Sequence, residues 1–282
     1  MRASDTELLA CPGCLTAPLA LSSLATEGDD VIEGRLECAC GRTYPVEDGI
    51  ARLLPEPLRE ECRPAVDPAD EAARWKRSEM KARDEQAGAY DRMWHLALFG
   101  LVEVPMTLRY LELRADDRLI EAGCGTGRMT AAFAARCQRL VAVDYSMASL
   151  RSNASKLRQR NVHNVSLIQA DICRMPFRAS AFSRLVSCQV LEHVPTPESR
   201  RAAVGEFARV LAPGGRAAIS AYQYNPVMRL MRSREGSHAG GIYFHRFRRP
   251  ELRALLSEGL RVERMTGLLV YHYLARCAKE AA

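Results

Sequence analysis

The chain has 282 residues, 48% of them hydrophobic and 26% charged, a balance that excludes a disordered or fibrous protein and suits one domain plus a small module. Its net charge of +6, from 40 basic and 34 acidic residues, permits an RNA or anionic partner without demanding one. No apolar run approaches the roughly 20 residues of a membrane-spanning helix. The run Leu96 to Val102 stops at Glu103, and MRASDTELLACPGC carries no apolar signal core, so a cytoplasmic protein with no membrane partner is expected.

Residues 1–54 form a first unit with short strand-like stretches and four clustered cysteines, Cys11, Cys14, Cys38 and Cys40. Cys11-Pro12-Gly13-Cys14 is a two-residue knuckle whose glycine lets two thiolates turn toward one ion. Cys38-Ala39-Cys40 follows 24 residues later. Four thiolates in two pairs suit a tetrahedral, structural zinc ion, which a unit this small needs for stability. Reduced, unliganded cysteines are the alternative. No βαβ pattern surrounds the CxxC, which argues against a thioredoxin-like redox site. The remaining six cysteines are scattered, and no disulfide framework is expected without secretion.

Residues 55–70 hold four prolines and read as a linker, with a helix starting by residue 78. The stretch 71–86 is rich in helix formers. From about residue 117 strands and helices alternate. DRLIEAG, RLVAVD, VSLIQAD, SRLVSCQ and RAAISAY read as strands, with RMTAAFAARC, MASLRSNASKLRQR and ESRRAAVGEFARVLA as helices between them. That alternation predicts βαβ units and a mostly parallel α/β sheet.

Chemistry gathers at the ends of the predicted strands, where doubly wound sheets bind ligands. Gly123, Gly125 and Gly127 follow the first strand and open a helix; the GxGxG spacing lacks the last glycine of a dinucleotide loop. Such a helix start can hold a pyrophosphate or the carboxylate of an amino acid. Asp144 ends the second strand and can accept from both hydroxyls of a ribose. Asp171 ends the third and can accept from an adenine amino group, with Ile172 packed on the ring. The fourth strand leads to Cys188, Gln189 and His193.

Two resemblances follow from these residues. LLACPGCLTAPL and LECACGRTYPVEDGIARLLPE resemble the zinc-ribbon family of methyltransferase activator subunits, including the partners of eukaryotic tRNA methyltransferases. That family has two residues inside its second cysteine pair, where this chain has only Ala39. The strand-end motifs, with ARVLAPGGRAAIS and HRFRRPELRALL, resemble class I S-adenosylmethionine-dependent methyltransferases of the ubiquinone and menaquinone type. The second resemblance implies a Rossmann-like, seven-stranded, mostly parallel sheet over residues 79–282, preceded by the small zinc-ribbon-like module. It further implies that Glu121, Gly123, Gly125 and Gly127, with Cys124 and Thr126, cradle the methionine end of S-adenosylmethionine. Asp144 and Tyr145 would take the ribose, Asp171 and Ile172 the adenine. Cys188 and Gln189 would line the pocket near the sulfonium, and Tyr90 would close over the cofactor. Glu121 can alternatively orient the glycine-loop amides, and Tyr90 can simply pack in the core.

Methyl transfer from a sulfonium is a direct displacement, so the enzyme chiefly aligns the acceptor and excludes water. A base is needed only for a phenol, hydroxyl or ring N–H acceptor. His193, Tyr222 and His245 are the candidates, each with a structural role as the alternative. No acidic cluster suggests a magnesium site, so metal-independent chemistry is expected. Residues 222–249 interleave aromatics and arginines around Gly236, Gly240 and Gly241, which suits a mobile cap over the substrate. The favoured acceptor is a small molecule. The alternative is an RNA base, because a zinc ribbon ahead of a class I domain resembles rRNA guanine methyltransferases. Against it, residues 1–54 hold nine acidic residues and four basic ones, which disfavours phosphate contact. A scaffold whose ribbon only binds a partner is a third, non-enzymatic reading.

Overall fold

The structure, a computed structural model, describes residues 1–59, 71–90, 94–238 and 240–281, excepting the side chains at 71, 72, 89, 90, 94–98 and 231. Most of the proline-rich linker, residues 60–70, therefore lies outside the described residues, as does the Tyr90 side chain.

The N-terminal unit is an antiparallel meander of β1 (Ala20–Glu27), β2 (Asp30–Glu37), β3 (Thr43–Glu47) and β4 (Ile50–Arg52). Two helices follow, α1 (Glu71–Tyr90) and α2 (Trp94–Leu111). Then come β5 (Arg118–Ala122), α3 (Thr130–Ala134), β6 (Arg139–Asp144), α4 (Met147–Gln159), β7 (Val165–Gln169) and β8 (Phe182–Cys188). The chain continues through α5 (Pro197–Val210), β9 (Leu211–Tyr222), α6 (Pro226–Met231), β10 (Glu235–Ser237) and β11 (Tyr243–His245). It closes with α7 (Arg249–Ser257), β12 (Arg261–Leu268) and β13 (His272–Ala278).

The expected seven strands are present, in the order β7-β6-β5-β8-β9-β13-β12, with only β13 running against the others. The N-terminal unit is not a detached module. Its last strand β4 pairs in parallel with β7, Ile50 opposite Leu167 and Arg52 opposite Gln169. One sheet of eleven strands results.

Strand residues alternate between two cores, as a period of two requires. Ile120, Ala122, Val141, Val143 and Ile168 face one side, packed with Phe207 of α5, Leu252 of α7 and the ribbon residues Leu36 and Tyr44. Leu119, Leu140, Ala142 and Leu167 face the other, with Phe133, Leu150 and Leu157 of α3 and α4. Ribbon and parallel sheet thus share a continuous apolar core. A buried polar cluster adds to the join. Arg139 of β6 donates to both carboxylate oxygens of Asp5 at 2.8 Å, and Ser166 of β7 bonds the same carboxylate.

Candidate functional site

The loop after β5 begins with the amides of Gly123 and Cys124, which both donate to Val143 O of β6, at 2.8 and 2.9 Å. The glycines then serve different ends. A Cβ on Gly125, at φ +52°, would meet no atom within 4 Å; it would stand in the cleft that Gly125 lines. A Cβ on Gly127, at φ +81°, would lie 2.1 Å from Asn153 Oδ1 of α4. Gly127 therefore allows loop and helix to close together, and it is not among the cleft-lining residues.

The cleft runs along the carboxyl ends of β5, β6, β7 and β8. It brings together Glu121, Gly123, Cys124, Gly125, Thr126, Asp144, Tyr145, Asp171, Ile172, Cys188, Gln189 and His193. These positions are far apart in sequence and converge because successive parallel strands end at one edge.

Asp144 accepts from the amides of Gly125 at 2.8 Å and Ser146 at 2.9 Å, one through each oxygen. The carboxylate is thus aimed into the loop, and each oxygen retains a second lone pair. Burial pushes its pKa up against those bonds. Glu121 is buried and accepts from Thr130 Oγ1 at 2.7 Å. Burial drives its pKa to about 8, so it is largely protonated at neutral pH. Asp171 accepts from the Cys173 amide at 2.9 Å and from Lys76 Nζ at 2.6 Å.

Lys76 belongs to α1, which lays Lys76, Glu79, Arg83, Gln86 and Ala87 over the cleft. Ser146 Oγ, which caps α4, donates to Asp84 at 2.6 Å and ties α1 to the sheet edge. Burial lifts Glu79 to about 7. The mixed-charge pattern of 71–86 indicated a helix; nothing in it indicated that the helix closes the cleft.

Beyond β8, Gln189 sits at φ +59°, a sparsely populated conformation for a non-glycine residue and a recurrent feature of functional sites. Its side-chain amide donates to Glu103 at 2.7 Å; Ser220 also donates to Glu103, and Arg128 pairs with it at 2.7 Å. Glu103 is fully buried, so α2 supplies a charged floor that the sequence reading missed.

His193 Nδ1 lies 2.7 Å from Tyr243 O. A carbonyl only accepts, so Nδ1 carries the proton and Nε2 is left with a lone pair. Burial, then the nearby Arg83 charge, hold the His193 pKa well below 6.5. Tyr222 does not line this cleft, though its ring stands 5.6 Å from His193, with His238 and His272 at 6.0 and 5.3 Å. His245 is placed differently from the expectation. It is buried away from the cleft, with Nδ1 2.6 Å from Glu235 and Nε2 2.8 Å from Glu251. Both nitrogens are engaged by carboxylates, which marks a bracket between β10–β11 and α7.

In the ribbon, one ligand atom from each of Cys11, Cys14, Cys38 and Cys40 lies within 4.8 Å of the others. The Cys11–Cys40 and Cys14–Cys38 sulfurs are 3.8 and 3.5 Å apart. Zn–S bonds of about 2.3 Å in a tetrahedron place sulfurs roughly 3.8 Å apart, so the donor set fits zinc. The one-residue second knuckle closes through Gly41, at φ +85°, whose amide donates to Cys38 O at 2.9 Å. Hydrogen bonds from the Arg42 amide and guanidinium hold Cys40 down at about 6, which favours a thiolate ligand. The first knuckle is tied to the loop after β7: Arg174 donates to Pro12 O and, at 2.6 Å, to Gly13 O.

Residues 120–219 match the methyltransferase-domain family, and residues 6–49 match the Trm112p-like protein family. The chain carries a methyltransferase domain. Over 146 residues it is 32% identical to a demethylmenaquinone methyltransferase of Clavibacter sepedonicus, covering 51% of this chain and 58% of the relative. Over 188 residues it is 27% identical to a ubiquinone biosynthesis O-methyltransferase of Acinetobacter baumannii, covering 60% and 74%. The chain thus spans a little under two thirds of the first of these relatives. Among solved structures, the domain is similar to a 1,6-didemethyltoxoflavin-N1-methyltransferase of Burkholderia thailandensis. That protein was solved with its acceptor and S-adenosylhomocysteine; the TM-score is 0.64 at 18% identity, covering 76% of this chain and 93% of that one. The methyltransferase domain therefore has the expected Rossmann-like fold, and a Trm112p-like segment extends its sheet.

Proposed function

We propose that the chain is an S-adenosylmethionine-dependent methyltransferase acting on a small-molecule acceptor, with a structural zinc ion in the ribbon. The observation that carries this reading is the convergence of Gly125, Asp144 and Asp171 at three consecutive strand ends in one cleft. Gly125 leaves room where any side chain would intrude. Asp144 accepts the ribose hydroxyls and Asp171 the adenine amino group, while Ile172 packs on the base. The quinone methyltransferases among the relatives support a small acceptor, as does the acidic ribbon.

S-adenosylmethionine supplies an activated methyl on a sulfonium, so the protein's work is positioning. Cys188 and Gln189 border the reacting end, and the Glu103–Arg128 pair beneath Gln189 fixes that wall. His193 acts as base through Nε2 when the acceptor carries a hydroxyl or N–H. Its Nδ1–H bond to Tyr243 O sets the tautomer, and its depressed pKa keeps it neutral. Tyr222 stands outside the cleft lining and bears on the acceptor only through His193, 5.6 Å away. No described helix is long and apolar enough to cross a membrane, and we place the enzyme in the cytoplasm, where thiols stay reduced.

The test is transfer of labelled methyl from S-adenosylmethionine into fractionated cell extract. Label in the organic-soluble fraction is the expected result. Label confined to RNA would replace the small-molecule reading with the RNA one.

A further inference from the structure

We propose that the acceptor is a small aromatic acid whose carboxylate is anchored by Arg246, just beyond the β10–β11 hairpin beside His193. The inference rests on the small-molecule transferase reading and adds the charge of the substrate.

The hairpin is tied to the cleft through His193, whose Nδ1 donates to Tyr243 O of β11. The chain leaving it is tied to the end of β9. There the Phe247 amide donates to Tyr222 O at 2.9 Å and the Tyr224 amide to Phe247 O at 2.7 Å. These bonds set Arg246 at the ligand end of the sheet. Its guanidinium lies over the Phe244 ring, 4.2 Å from the centroid. His238 connects that point to the base: its ring stands 4.6 Å from Phe244 and 5.9 Å from cleft-lining His193. His193, His238 and Phe244 thus make a row of flat rings that ends at a guanidinium. Such a row suits the stacking of an aromatic ligand.

Arg246 is half-buried and has no carboxylate partner among the described residues. Its side chain makes one hydrogen bond, from Nη1 to Ser233 O. Nε–H and the Nη2 amino group remain, two parallel donors on one edge. The carboxylates around the hairpin are committed elsewhere, Glu235 to His245 and Glu251 to His245 and Arg234. The nearby charge is Arg232, of the same sign, and burial pushes the Arg246 pKa down. A guanidinium so placed gains most from an anion that arrives with the ligand. Two parallel N–H donors match the two oxygens of a carboxylate. A neutral acceptor would leave them unpaired in a partly desolvated site.

The first experiment is transfer of labelled methyl from S-adenosylmethionine into the small molecules of a cell extract. The product is extracted into ethyl acetate at about pH 8 and again at about pH 2, below the ordinary carboxyl pKa. The label should stay in water at the higher pH and enter the solvent at the lower. Label that extracts equally at both belongs to a product without a free carboxylate; it would overturn the proposal and leave the transferase reading intact. Label in RNA, or no transfer at all, would defeat that reading and this one with it.

The second experiment does not depend on transfer. Benzoate and benzamide are titrated into the whole protein saturated with S-adenosylhomocysteine, and the nitrogen-15 signal of Arg246 Nε–H is followed. Benzoate should bind saturably and shift that signal, with benzamide at least about tenfold weaker. Arg246→Gln should weaken benzoate at least about tenfold. Arg246→Lys keeps the charge, loses the fork and should weaken it less. S-adenosylmethionine affinity should stay within about twofold in both variants, which shows that the fold is kept. No binding of benzoate, or equal binding of benzamide, or equal binding by Arg246→Gln, would overturn the proposal. So would phenyl phosphate binding at least about tenfold tighter than benzoate, because the anchor would then be for phosphate.

Discussion

Lys76 Nζ lies 2.6 Å from Asp171 Oδ2, so helix α1 clamps the carboxylate that follows the end of β7. Both groups are largely buried, which makes the pair worth more than a surface salt bridge. On the proposed reading of the cleft, Lys76 holds Asp171 in place for the adenine amino group. Lys76→Met is expected to weaken S-adenosylmethionine binding about tenfold, or about 1.4 kcal/mol, with kcat at saturating cofactor within about twofold. Calorimetric titration alongside steady-state kinetics measures both. An unchanged affinity would remove Lys76 from the site.

Gly125 and Gly127 should separate binding from stability. Gly127→Ala forces a Cβ into Asn153 at positive φ and should cost about 3 kcal/mol, from left-handed strain and overpacking. For a domain of this size that is roughly 6–12 °C in Tm. Gly125→Ala places its methyl in the cleft and should cost only the conformational strain, about 1 kcal/mol, while cofactor affinity falls. Thermal melts with and without cofactor distinguish the two variants.

His193 gives a pH prediction. A base works in its neutral form, and a lowered pKa keeps that form populated to lower pH. The acid limb of kcat/KM should therefore fall below 6.5, the ordinary histidine value, and not near 7. His193→Ala should lower kcat by about 10²–10⁴-fold and abolish that limb. A limb that persists in the variant would assign it to another group.

The join between ribbon and methyltransferase domain predicts one cooperative unfolding transition. Asp5→Ala leaves Arg139 buried without its carboxylate, which should cost about 3–5 kcal/mol and lower Tm in a single step. Metal analysis belongs to the same test. The wild type should carry one zinc per chain, and Cys14→Ser with Cys38→Ser should carry none and melt earlier. Two separate transitions in the wild type would show that ribbon and domain fold independently.

Much of this was legible in the sequence because the chemistry sits at strand ends. Runs such as RLVAVD and VSLIQAD announce their strands by apolar content, and a parallel sheet gathers their last residues at one edge. Asp144, Asp171 and the glycine loop follow from that rule alone. The pairing of β4 with β7 carries no local signal, since Ile50–Arg52 reads as a short strand whichever neighbour it finds. The docking of α1 is equally silent: Lys76 looks like any solvated helix position until Asp171 is placed beside it. His245 shows the reverse failure. A histidine in a basic stretch looked available, and its two carboxylate partners, Glu235 and Glu251, are distinguished by tertiary placement only.

The most direct measurement is equilibrium binding of S-adenosylmethionine to the wild type and to Asp144→Ala. The account predicts one site per chain, weakened at least about a hundredfold in the variant by the loss of two hydrogen bonds from a charged acceptor, with the melting curve of the variant still cooperative. Equal affinity in the two proteins, or no binding by the wild type, would contradict the assignment of this cleft to the cofactor.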